Sequence, residues 1–167
     1  MDYYGAPEGF LGYCDDHGYD TEDLEPSPPE TIETILRRGS VYIDGTYRSR
    51  FTGRKVGGRA QELEWGRVDA YDASGEDIPE GEIPIEIEQA TYEAAFREWT
   101  EPGSLTPEYI ATDRVKSETV GPLSVTYADS KTMSAADATP VIPIIDMILA
   151  PLLSQPKRTS MFGEVTR

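Results

Sequence analysis

The chain has 167 residues, enough for one ordinary domain with its own core, yet only 38% are apolar, and Gly and Pro number 15 and 13. It carries 31 acids against 15 bases, a formal net charge of −16. Such a chain repels bulk nucleic acid, so any DNA contact must come from a local basic patch. One cysteine, Cys14, excludes an intrachain disulfide, and together with the one histidine, His17, it cannot assemble a Cys/His zinc set.

Residues 1–29 form an acidic segment rich in Tyr, Gly and Pro. Its start, MDYYGAPEGF, has neither a basic n-region nor an apolar h-region, so no signal peptide is expected. The spacing of Phe10, Leu11 and Cys14 predicts a short helix over Ala6–Asp16. Asp15, Asp16, His17 and Asp20 cluster as ligands of a weak divalent-ion site would, but acidic segments of this kind are ordinarily just solvated. No metal or cofactor is expected. Cys14 reads as a small core residue, because His17 three positions away makes a poor nucleophile–base pair.

The first strong helix is predicted over 30–47. Ser27 and Glu30 would cap it reciprocally, with Pro28 in the first turn. Ile32, Ile35, Leu36, Gly39, Ile43 and Tyr47 follow helical spacing, and Arg37, Arg38, Asp44 and Arg48 fall mostly on the other face. Gly39 inside the helix marks a close approach by another backbone. Residues 49–82 read as one long connection punctuated by glycines, with Trp65 as its anchor into the core.

A second helix is predicted over 83–100. Pro84, Glu86 and Glu88 suit its first turn, and Ile85, Tyr92, Phe96 and Trp99 supply large packing groups on more than one side, as in a helix buried between subunits. Period-two alternation on either side of Gly121-Pro122 predicts a hairpin within 113–128. Residues 141–153 carry Pro143 in the first turn and Pro151 near the end of a last buried helix, too short and too interrupted to span a membrane. The stretch 154–167 has no period and reads as an arm. The fold class is therefore mainly α: a small helical bundle with one β-hairpin, a long central loop and extended terminal arms.

Charge is segregated along the chain. Residues 1–36 hold ten acids and no base, 37–67 hold eight bases and three acids, and 68–113 hold thirteen acids and one base. Two functional readings follow. The positive band could meet a negative band on another copy, head to tail. Alternatively, Arg48, Arg50, Arg54, Lys55 and Arg59, interleaved with Tyr42, Tyr47, Phe51, Trp65 and Tyr71, could grip a single strand, although Tyr47, Phe51 and Trp65 are expected to pack inward as core residues. Gly53–Arg59 lacks the Lys-Ser/Thr of a Walker loop. No catalytic constellation emerges, so an enzyme is not expected.

The ordered motifs extend the reading. They are Tyr42 to Phe51, Gly53 to Gln61, Glu64-Trp65 with Arg67, Tyr71-Asp72, Ile78-Pro79, Ile83-Pro84, Ala90 to Ala95, Val115 to Glu118 with Val120 to Pro122, Ile144 to Asp146, and Leu149 to Leu153. Over about residues 30–153 the chain resembles phage proteins labelled DnaT-like single-stranded DNA-binding proteins, and also the head–tail adaptors of long-tailed phages and related gene transfer agents. The adaptor likeness implies an adaptor domain at 30–153, flanked by the acidic N-terminal segment at 1–29 and the C-terminal arm at 154–167 that composition and lack of period mark out. It implies a ring of about a dozen copies in the virion neck, assembled in the host cytoplasm. The portal and a downstream neck or tail-terminator protein would be its neighbours, with double-stranded DNA passing through. From its short mixed basic and apolar content, the arm is expected to dock on a partner such as the portal through Lys157, Arg158, Met161 and Phe162. The DnaT-like likeness implies a replication accessory that binds single strands. Neither implies catalytic residues. The strongly acidic composition favours the adaptor, because an acidic bore lets DNA slide.

Overall fold

The structure is a computed structural model that describes residues 2–24, 27–106 and 140–154, together with the strands at 117–120 and 123–126. It is mainly helical with minor β structure. The order is α1 (Pro7–Asp16), α2 (Pro29–Tyr47), β1 (Arg54–Lys55), β2 (Arg67–Val68), β3 (Ala70–Tyr71), β4 (Asp77–Ile78), α3 (Ile85–Thr100), β5 (Ser117–Val120), β6 (Leu123–Thr126) and α4 (Pro143–Leu149).

Helices α2 and α3 pack antiparallel as the central pair. Ile32, Ile35 and Leu36 share one apolar cluster with Tyr92 and Ala95, while Ile43 and Tyr47 share another with Ile87 and Ala90. Gly39 lies at the crossing. A Cβ there would stand 2.8 Å from the Thr91 carbonyl oxygen and 3.2 Å from the Ala95 nitrogen, so the close approach expected from the sequence is real. Helix α1 closes one cluster with Phe10 and Cys14, and α4 closes the other with Ile145 and Leu149. Much of the burial of α3 is thus met within the chain, by α1, α2 and α4.

Several local expectations change. Ser27 does not cap α2: its hydroxyl donates to the Asp23 carbonyl at 3.2 Å, extended Pro28 takes the cap position, and Pro29 opens the helix. Likewise Pro84 precedes α3 as the cap residue, and Ile85, in the first turn, is 58% exposed rather than a packing group. The final helix is shorter than expected. Pro151 lacks the N–H that an α-helix needs there, and the chain tightens into a 3₁₀ turn at Ala150–Leu152. The hairpin is present, with Ser117 paired to Thr126 and Val120 to Leu123, and the remaining residues of 113–128 lie outside the described ones.

Asp44 departs most from its expected place. It lies on the buried side of α2, where Oδ1 accepts from the Tyr4 hydroxyl at 2.7 Å and Oδ2 from the Glu64 N–H at 3.0 Å. Burial raises its carboxyl above the usual range, against the lowering effect of those hydrogen bonds. The Tyr4 hydroxyl also accepts from the Trp65 N–H at 3.1 Å, and the Tyr4 N–H donates to Ser40 Oγ at 2.9 Å. Through this network the N-terminal segment and the central connection are both fixed to α2.

Candidate nucleic-acid interface

The connection 49–82 is not a featureless loop. Two short antiparallel pairs, β1 with β2 and β3 with β4, fold it against the α2–α3 core. Phe51 and Trp65 meet edge to face at 5.3 Å between ring centres, and both are buried. The start of the connection is held to the last 3₁₀ turn, where Phe51 bridges to Leu153 and the Ser154 N–H donates to the Arg50 carbonyl at 2.9 Å.

Arg67 locks this segment from inside. It is only 6% exposed. Its Nε donates to the Thr52 carbonyl at 2.6 Å, one terminal nitrogen to the Gly53 carbonyl at 2.9 Å, and the other to the Glu64 carbonyl and carboxylate at 2.9 and 3.1 Å. A planar guanidinium spreading its donors over four acceptors holds two chain segments in fixed register, which an ammonium could not do. Sequence reasoning placed Arg67 only within the basic band. Two of its carbonyl partners, fourteen and fifteen residues earlier, carry no side-chain signature.

The five basic residues singled out from the sequence divide. Lys55 is drawn inward: its ammonium donates to the Gln61 carbonyl at 2.8 Å and lies 3.6 Å from the Glu64 carboxylate. Arg48, Arg50, Arg54 and Arg59 are exposed. Arg48 Nε donates to the Asp44 carbonyl at 3.2 Å, Arg50 lies 6.0 Å from the Tyr47 ring centre, and Arg54 pairs with Asp69 at 3.3 Å, with both side chains more than 70% exposed. Arg59 sits on the 3₁₀ turn Gly58–Ala60 with no hydrogen-bond or ion-pair partner among the described residues. Lys157, Arg158, Met161 and Phe162 lie outside the described residues.

The aromatic residues divide too. Tyr47, Phe51 and Trp65 pack inward as expected, and so does Tyr42, whereas Tyr71 is 48% exposed. Asp69 stands between β2 and β3 with φ of +56°, a left-handed geometry that Asp tolerates better than most residues. Opposite this turn, a Cβ on Gly53 (φ +67°) would fall 2.5 Å from the Val68 carbonyl oxygen. The arginine-bearing strand therefore lies flush against the chain that leads to Tyr71.

Charge changes sign beyond Tyr71. A groove between the β3–β4 pair and the start of α3 is lined by Asp72, Glu76, Asp77, Glu82, Glu86 and Glu88, with no basic residue in its lining. Burial raises the Glu88 carboxyl. This face repels a polyanion, so the arginine segment is bounded on one side. Among the described residues, no three His, Cys, Asp or Glu side chains converge as metal ligands would.

The geometry defines a small helical domain that presents an arginine-bearing segment at its surface, tied to the core by Arg67 and Phe51. The chain belongs to the family described as "Putative DnaT-like ssDNA binding protein", whose family model matches residues 4–167. No curated protein and no solved structure matches it. The family match overturns the neck-adaptor expectation. With it go the dozen-membered ring, the portal and tail neighbours and the channel for double-stranded DNA, because the matched family is described by binding to single strands. The acidic total charge had favoured the adaptor, but a sum over the whole chain says little about one exposed patch.

Proposed function

We propose that the chain is a non-enzymatic protein that binds single-stranded DNA through the exposed guanidinium groups of Arg48, Arg50, Arg54 and Arg59. The observation that carries this reading is their placement. All four lie on one stretch of twelve residues whose backbone is pinned by buried Arg67, by Phe51 and by the contact with Leu153. The family's description supports the same reading.

Exposed arginines held on a fixed backbone can meet successive phosphates without the ordering cost of a loose tail. Each contact releases condensed counterions, so affinity falls as salt rises. Elsewhere the negative surface opposes long-range attraction, which makes binding weak and local rather than enveloping. Four contacts to a single strand give a slope of log affinity against log salt of about −3.

A titration of the full chain with a labelled oligothymidylate across a salt series tests this. Salt-dependent binding that collapses when the four arginines become serine is the expected result. No binding at low salt, or an unchanged affinity in the fourfold variant, would refute it.

A further inference from the structure

We infer that Tyr71 is a base-stacking platform beside the arginine segment, so that the site grips bases as well as phosphates and prefers single strands over duplex. The inference rests on the reading above and adds to it the part of the ligand that is recognised.

Tyr71 is the one exposed aromatic residue in the segment 42–71, since Tyr42, Tyr47, Phe51 and Trp65 are all buried. A lone exposed aromatic is ordinary on a protein surface. What distinguishes this one is how it is held. Its N–H donates to Thr52 Oγ1 at 2.9 Å, and its carbonyl accepts from the same hydroxyl at 2.6 Å. Thr52, itself buried, lies two residues from both Arg50 and Arg54. The backbone that bears the ring is thus bolted directly to the strand that bears the guanidiniums. An exposed aromatic ring whose backbone is joined to an arginine-bearing segment suits the way single-strand binders hold bases, and a duplex, with its bases stacked internally, cannot use it.

The neighbouring charges orient the strand. Asp77 pairs with Tyr71 across the β3–β4 ladder, so its carboxylate lies on the same face as the ring. Phosphates are repelled there and drawn toward Arg50 and Arg54, leaving a base to cover the ring.

The ring can be removed without disturbing its support, because both bonds to Thr52 use the backbone of Tyr71. The full chain is titrated by fluorescence anisotropy with an oligothymidylate of about a dozen nucleotides and with an abasic oligonucleotide of the same length. Wild type should bind the thymidylate more tightly than the abasic strand. Tyr71→Ala should weaken thymidylate binding by at least about fivefold, the low end for one stacked base, and leave abasic binding unchanged, while Tyr71→Phe should bind as wild type. Equal wild-type affinity for the two strands, or a Tyr71→Ala variant that binds both as wild type does, would overturn stacking and leave phosphate binding standing. Failure of wild type to bind either strand would bring down the DNA-binding reading as well.

Discussion

The Tyr4 hydroxyl donates a 2.7 Å hydrogen bond to Oδ1 of Asp44, forty residues further along the chain, and both groups are buried. One short contact ties the N-terminal segment to the middle of α2, and through the Trp65 N–H, at 3.1 Å from the same hydroxyl, to the central connection. Tyr4→Phe removes only the oxygen, yet it leaves a buried carboxylate oxygen and a buried N–H each short of a partner. It should lower stability by about 1–3 kcal/mol, read as a shift in urea midpoint with an unchanged slope. A midpoint within error of wild type would show that water replaces the hydroxyl.

Gly39→Ala sets helix propensity against packing. Alanine favours an exposed helix interior by about 1 kcal/mol. Here the new methyl would stand 2.8 Å from the Thr91 carbonyl oxygen, a backbone atom that moves only if α3 moves. Overpacking of this kind costs about 1–3 kcal/mol, so the variant should be less stable than wild type by thermal melting. A stabilised variant would mean that the two helices separate easily.

Under the proposed function, Asp69 would compete with a bound strand for Arg54. The pair is 3.3 Å apart and highly exposed, so it adds little to stability and mainly neutralises one cation of the proposed site. Asp69→Asn should leave the melting temperature nearly unchanged and tighten oligothymidylate binding about two- to threefold at low salt, with the gain vanishing at high salt. Weaker binding in Asp69→Asn would show that Asp69 positions Arg54 instead.

Alkaline pH should loosen the contact of α1 with α3. Burial, and then the Glu93 carboxylate beside them, push the Cys14 thiol and the Tyr19 hydroxyl up to about 12 from ordinary values of 9.0 and 10.0. Both groups hold their protons more tightly when folded. The stability they contribute is therefore complete below about pH 9 and is lost as pH rises toward about 12. The urea midpoint should fall over that window, with a smaller fall in Tyr19→Phe, and a thiol reagent should leave native Cys14 untouched at neutral pH. A flat midpoint from neutral pH into that window would contradict the burial of these groups.

The helices were legible because periodicity reports directly on which side chains can share a face. Ile32, Ile35, Leu36, Ile43 and Tyr47 fell at helical spacing and are buried, and Gly39 announced a close approach that Thr91 supplies. Asp44 was misplaced because a carboxylate on an otherwise apolar stripe reads as solvent-facing until its donors, Tyr4 and the Glu64 N–H, come from far along the chain. Arg67 and Lys55 counted as surface charge for the same reason, since their acceptors are chiefly carbonyls and every residue has one.

The amino-acid order alone determined the helical class, the anchoring of Trp65, the hairpin strands and the position of the positive band, all of which depend on local spacing and composition. Only the tertiary structure decided which cations of that band stay in water. It turned Arg67 and Lys55 inward, left Arg48, Arg50, Arg54 and Arg59 outside, and tied the backbone of half-exposed Tyr71 to their segment through Thr52. The physical reason is that exposure of a charge is settled by hydrogen-bond partners brought together from distant parts of the chain, and no periodicity in the sequence encodes them.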